Sequence, residues 1–278
     1  MNRSTRTWSI AFAMLAGTGA ALAAIGADAA QELTHKSGLW VQLDSLGRQV
    51  RAGMSDGLDK HAAGPSAEQK ARMLDCAQSS FGADALRAIA VDAVAGALQP
   101  AEVVPLLAWY DSPPGRRIAA AEEASAGRML DPQERLRQGA EALAAASPAR
   151  RAALQAIVTE THSVEVMADT LIGMAFAVQQ GMASLDPAAT AETLADIKAQ
   201  MSGRRPQLIQ HYAQISLPAY AFTYATLGDD DLGRYAGHLA GDPAKSFSDG
   251  STRGVARALA AGSAKLGRCL KASGSEGT

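Results

Sequence analysis

Several things are scarce in this chain of 278 residues, and each scarcity excludes something. Aromatic residues make up only 5% and β-branched residues rarely cluster, so no convincing alternating strand can be drawn. Positive charge is not in excess: 26 Lys and Arg face 28 Asp and Glu, and a broad field for phosphate backbones is missing. Nucleic acid is therefore not an expected partner. Beyond the first thirty residues no apolar run approaches the ~20 needed to span a membrane. HExxH, GxSxG, a phosphate-cradling Gly-Lys loop and CxxC are all absent. Their absence lowers the expectation of an enzyme without removing it, because sites are also assembled from distant residues. No motif calls for a cofactor.

Two cysteines, Cys76 and Cys269, are all the chain has. How they are read depends on the compartment, which the N-terminus addresses. Arg3 and Arg6 precede an uncharged run from Trp8 to Gly26, and Ala27-Asp28-Ala29 follows with the small-x-small pattern of a signal-peptidase site. A signal peptide over residues 1–29 is expected, with a mature chain from Ala30 in a bacterial periplasm or secreted. Its loss removes two Arg and one Asp and leaves a net charge of −3. In an oxidising compartment an even pair of cysteines predicts a disulfide, with two separate buried thiols as the alternative.

What the chain has in quantity is alanine, 61 residues of it, the best helix former and small enough to let helices approach closely. Trp40, Leu43, Leu46, Val50, Met54 and Leu58 recur at steps of three and four, a single helical stripe. Leu154, Ile157, Thr161, Val164, Ala168, Leu171, Ala175, Val178 and Met182 repeat that pattern over a longer span. The expectation is an all-α, multi-helix bundle. Its helices fall near 33–60, 66–80, 83–98, 100–111, 113–127, 132–146, 148–184, 187–201, 204–226, 229–241 and 243–271.

Proline marks the corners. Ser112-Pro113, Ser147-Pro148, Asp131-Pro132, Asp186-Pro187 and Asp242-Pro243 each put a capping side chain before a residue suited to the first helical position. Ser66 with Gln69, and Asp131 with Glu134, have capping-box spacing. Pro218 falls inside a helical stretch, where it is expected to kink or break it.

Laid over itself with an offset of 129 residues, the stretch from Leu86 to Tyr110 matches Ile215 to Leu239 in apolar character. This suggests two related helical units, residues 30–146 and 147–272, followed by a disordered tail over 273–278. Chance alignment of alanine-rich helices is the rival explanation.

An acidic helix start at Glu102-Val103, the aromatic pair Trp109-Tyr110, and then Ser112, Pro113, Gly115 and Arg117 form a local motif. It resembles the core of a secreted bacterial domain-of-unknown-function family, number 2059. The second unit echoes it in Asp231, Leu232, Leu239, Asp242 and Pro243, with Ala244-Lys245 in place of the glycine step. The resemblance covers about thirty residues. It implies an exported helical protein and supplies no catalytic residues.

Three groups of residues remain as candidate sites. His162 and Glu165 lie three apart on one helical face, the spacing of di-metal bundles, although such bundles draw more carboxylates from other helices. Tyr212, Tyr220, Tyr224 and Tyr235 fall between His211 and His238 and are placed to line a pocket for an amphipathic ligand, or to form a second core. Arg116-Arg117, Arg150-Arg151 and Arg204-Arg205 sit near helix starts, where positive charge opposes the macrodipole. Pairing with acids or carbonyls elsewhere in the chain is the expected resolution. Arg116 and Arg117 are expected to reach carbonyls or acids of the other unit.

The functional expectation is an envelope binding or interaction protein, leaning away from catalysis, with an envelope protein as its partner. The alternative is a carrier of a small apolar or amphipathic ligand near the tyrosines. A metal-dependent enzyme centred on His162 ranks third.

Overall fold

The computed structural model describes residues 25–59, 66–128, 130–183 and 190–275. Thirteen helices and no strand occur among them. They are α1 (Ala27–Lys36), α2 (Leu39–Asp59), α3 (Ala67–Ser80), α4 (Ala83–Ala95), α5 (Pro100–Asp111), α6 (Pro113–Gly127) and α7 (Pro132–Ala144). There follow α8 (Pro148–Glu160), α9 (Ser163–Ala183), α10 (Ala191–Ser202), α11 (Arg205–Thr223), α12 (Asp229–Leu239) and α13 (Asp242–Ser275). The chain is an all-α multi-helix bundle. None of these helices is long and apolar enough to cross a membrane.

Two helices expected to be continuous are broken, each at a left-handed residue. Gly38 has φ of 77°, and with Ser37 it closes the end of α1, so the first stripe begins afresh at Leu39. His162, at φ 47°, separates α8 from α9. There the Thr161 hydroxyl bonds back to the Ile157 carbonyl at 2.7 Å, and the stripe of apolar residues continues across a turn that periodicity does not register. Conversely, α11 runs through Pro218 from Arg205 to Thr223 and is not broken there. At its C-terminal end α13 extends to Ser275, into the segment expected to be disordered; residues 276–278 lie outside the described residues.

The proline corners are built largely as capping chemistry requires. Ser112 accepts from the Gly115 N–H, Ser147 from Arg150 N–H, and Asp131 from both Gln133 and Glu134 N–H groups. Ser66 and Gln69 form a reciprocal capping box. Glu134 does not return the bond to Asp131, because Arg137 and Gln138 take its carboxylate and hold it down at about pKa 2. Asp242 is itself the first residue of α13 rather than the cap before it, and Asp186-Pro187 lies outside the described residues.

The core comes in three clusters, and α13 contributes to two of them. Leu39, Leu43, Ala77, Phe81 and Leu86 meet Ala258, Leu259 and Leu266 of α13. Ile25, Leu33, Val94, Leu98 and Leu106 meet Phe247. The third cluster joins Ile118 of α6 to Leu154 and Ile157 of α8, and to Tyr224, Leu227, Leu232 and Tyr235 at the α11–α12 corner. The boundary drawn at residues 146 and 147 is thus crossed by all three. The candidate cleavage stretch, Ala27 to Ala29, forms the first turn of α1; residues 1–24 lie outside the described residues. Two pairs of helix starts lie 129 residues apart, α5 at Pro100 with α12 at Asp229 and α6 at Pro113 with α13 at Asp242, whereas α4 at Ala83 and α11 at Arg205 lie 122 apart.

Cys76 of α3 and Cys269 of α13 are joined in a disulfide, with Cα atoms 5.7 Å apart and 193 residues between them in sequence. Close helix approach sets the other side of α13. A Cβ placed on Gly267 would fall on the Val178 carbonyl oxygen of α9, with the Met182 nitrogen only 2.9 Å away. Gly267→Ala is expected to destabilise the fold by ~1–3 kcal/mol, because two backbones must separate. Gly233→Ala on α12, where nothing lies within 4 Å, is expected to stabilise by up to ~1 kcal/mol through helix propensity. Urea midpoints of the two variants should move in opposite directions.

Candidate binding cavity

The corner that opens α6 sets the geometry of the site. Ser112 Oγ accepts from Gly115 N–H at 3.2 Å and donates to the Trp109 carbonyl at 2.5 Å. Gly115 packs directly on the Trp109 carbonyl, where any side chain would collide. α5 and α6 therefore meet tightly, and the aromatic pair splits between neighbours. Trp109 stacks on His238 of α12 at 4.2 Å, while Tyr110 stands edge-on to Phe247 of α13 at 5.7 Å.

From that corner Gly115, Ile118 and Ala119 form the buried face of α6, and one turn further the same face carries Glu122. Its carboxylate oxygen Oε1 accepts two phenol hydroxyls, from Tyr224 at 2.6 Å and from Tyr235 at 3.1 Å. Burial pushes the Glu122 carboxyl up to about 7, and the two tyrosine hydrogen bonds only partly oppose that shift. The Tyr110, Tyr224 and Tyr235 hydroxyls are driven well above their usual range by burial and by the nearby Glu122 charge, so they remain donors. His238, half-buried and stacked on Trp109, is lowered by burial to about 4 and stays neutral at pH 7.

Glu122, Tyr220, Tyr224 and Tyr235 line a cavity of about 400 Å³ between α2, α6, α7, α11, α12 and α13, with Thr161 just past the end of α8 also in its wall. Gln42, Ser45 and Gln49 of α2 give it a polar wall, and Arg135 of α7 reaches it from the other side. A second chamber of about 120 Å³ shares Leu39, Gln42, Glu122 and Tyr235 with the first and adds Tyr110, His238 and Ser251. Polar and apolar groups contribute comparably to the larger cavity, so it is not the purely apolar chamber a lipid carrier would use. In its wall the Tyr220 hydroxyl meets the Thr161 hydroxyl at 3.1 Å. The same Thr161 hydroxyl donates to the Ile157 carbonyl, so the last turn of α8 holds it in place for that contact.

Of the four tyrosines named from sequence, three line the cavity. Tyr212 does not: it lies edge-on to His211 two turns earlier on α11. The arginine pairs are mostly spent on structure. Arg117 makes a two-pronged bond to Asp231 at 2.7 and 2.6 Å, joining α6 to α12. Arg116 instead reaches the Asp111 carbonyl of its own unit. Arg150 clamps the α11–α12 corner through the carbonyls of Tyr224 and Leu227 and through Asp229, and so fixes Tyr224. Arg151 bonds the carbonyls of Ala144 and Ala146, and Arg205 pairs with Asp169 at 2.6 and 3.0 Å. His162 occupies the left-handed turn before Glu165, and no three His, Cys, Asp or Glu among the described residues are grouped to hold a metal ion.

The central residue, Glu122, was not singled out from sequence. One signal pointed to it: it continues the buried spacing of Gly115, Ile118 and Ala119, so a carboxylate falls where an apolar side chain belongs. Arg135 and Gln42 carried no such signal.

No family model matches this chain, and neither a curated protein nor a solved structure matches it.

Proposed function

We propose that this protein binds a small amphipathic ligand in the Glu122 cavity and acts as an exported carrier or receptor rather than a catalyst. One observation carries the reading: a cavity of about 400 Å³, in the size range of ligand sites, converges on a carboxyl that two tyrosines orient. Mixed walls suit a ligand with an apolar body and a polar end. The Cys76–Cys269 disulfide supports an oxidising compartment, the periplasm or the exterior, reached by a signal peptide over residues 1–29. Kinship with the secreted family 2059, resting on Trp109 to Arg117, is proposed with it. An envelope interaction role remains compatible, with the liganded protein as the species its partner meets.

The test is native mass spectrometry of protein purified from its own host without denaturation. A bound small molecule is expected, and Ala126→Trp, which places an indole into the cavity from α6, is expected to release it while the melting temperature holds. If Ala126→Trp retains the same molecule at the same occupancy, the ligand sits elsewhere and the reading fails.

A further inference from the structure

The ligand chemistry can be narrowed from how the cavity engages the Glu122 carboxylate. Glu122 Oε1 carries both tyrosine bonds, and Oε2 has no hydrogen-bond partner among the described residues. Glu122 also has no ion-pair partner there, although six helices contribute to the walls around it. The one cation in the lining, Arg135, makes no ion pair with it: its guanidinium donates to the Arg128 carbonyl at 3.2 Å and lies over the Phe222 ring at 5.9 Å, while its buried Nε has no partner among the described residues. A carboxylate held in such a place costs free energy unless a positive charge joins it. Tyr220, Tyr224 and Tyr235 line the same cavity, Tyr224 and Tyr235 meeting the carboxylate through their hydroxyls, and aromatic rings are surfaces that a cation also favours. An anionic ligand would be repelled by Glu122, with Arg135 the one cation in the lining to offset that repulsion.

We infer that the cavity takes a small organic cation, a compound whose protonated amine donates to Glu122 Oε2 while its apolar body lies against the tyrosine rings. This rests on the cavity being the binding site, as proposed above. The two tyrosines make Oε1 an acceptor and fix the carboxylate plane, so the free oxygen presents one direction to the ammonium group.

The inference requires a pH dependence. A protonated Glu122 offers no charge, so amine affinity must fall about tenfold per pH unit as the pH drops below about 7. Other titratable groups face Glu122 from several elements: Tyr110 on α5, Glu123 on α6, Tyr220 on α11, Tyr224 at the α11–α12 corner, Tyr235 and His238 on α12, and Arg135 on α7. The shifted tyrosines keep their protons throughout that range, and His238, lowered to about 4, stays neutral over most of it.

The experiment is isothermal titration of the full chain with three probes sharing one apolar body: phenethylamine, phenethyl alcohol and phenylpropanoate. At about pH 8 the amine is expected to bind at least tenfold more tightly than the alcohol, and the phenylpropanoate anion more weakly than both. At about pH 5.5 the amine should lose its advantage while alcohol affinity is unchanged. Glu122→Gln, which keeps an oxygen to accept the two tyrosine bonds, should erase the preference for the amine over the alcohol. Equal binding of amine and alcohol, tighter binding of the anion, a preference that survives Glu122→Gln, or no binding by any probe at about 10 mM each overturns the amine assignment. Ala126→Trp separates the two readings. If the amine preference persists in that variant, the probes bind elsewhere and the cavity reading falls. If all binding is lost there but no amine preference existed, only the ligand class falls.

Discussion

Reducing the disulfide, or replacing Cys76 and Cys269 together by serine, is expected to lower stability by ~2–5 kcal/mol. The bridge ties α3 to the C-terminal part of α13 across 193 residues of chain. Loop-closure entropy for that length corresponds to about 5 kcal/mol, and residual structure in the unfolded chain reduces it. The native contacts beside the bond remain: Cys76 and Ala77 pack with Phe81, Leu259 and Leu266 whether or not the sulfurs are joined. The loss should therefore appear in the unfolded state, as a lower urea midpoint and a larger denaturant slope, with native helicity intact. An unchanged midpoint in both the reduced protein and the serine variant would mean that the bridge does not restrain the unfolded chain.

The second large effect belongs to Glu122 and has a sign that depends on pH. Its folded-state value of about 7 lies above the ordinary 4.5, so between those limits the folded protein holds a proton that the unfolded chain releases. Its contribution to stability is lost as pH rises through that window, and above about 7 the folded state carries a cost of roughly 3 kcal/mol. His238 acts in the opposite sense. Lowered to about 4 from 6.5, it resists protonation that the unfolded chain accepts, so its contribution rises with pH through that interval. The two trends oppose each other, and the wild-type profile should be shallow where they overlap.

Glu122→Gln removes one of them. At about pH 8 this variant is expected to be more stable than wild type by roughly 3 kcal/mol, a rise of about 6–10 °C in melting temperature. Near pH 4.5 the two should coincide. The remaining profile should climb with pH as His238 alone dictates. Equal differences at both ends of the range would contradict a raised Glu122. A group that destabilises the empty protein is the kind retained for a ligand, which links this measurement to the binding experiments.

Legibility from sequence differed between the frame and the site. Ser112, Ser147, Asp131 and Ser66 announced their helix starts because capping is a local hydrogen bond, settled within four residues. The stripe from Trp40 to Leu58 announced the face that α2 buries, and Leu43, Leu46, Val50 and Met54 do pack in one cluster. The breaks at Gly38 and His162 were less readable, since a left-handed residue interrupts a helix without disturbing the apolar spacing on either side. Tyr220 and Tyr224 were visible as neighbours on one face. Tyr235 was visible only as part of the same aromatic-rich stretch, and that stretch also suggested Tyr212, which the turn of α11 carries away from the cavity.

Taken alone, the amino-acid order determined that this protein is helical, where most of its corners lie, and which two sulfurs were available to pair. Those outcomes depend on propensity, capping and composition, which act over a few residues or need no geometry at all. Only the tertiary structure decided that Glu122, Tyr224 and Tyr235 share a hydrogen-bond network around a cavity, and that Arg117 and Arg150 are committed to holding α12 and the α11–α12 corner in place. These residues lie about a hundred positions apart. Their meeting is set by how closely Gly115 and Gly267 let backbones approach, a distance that no pattern along the chain encodes.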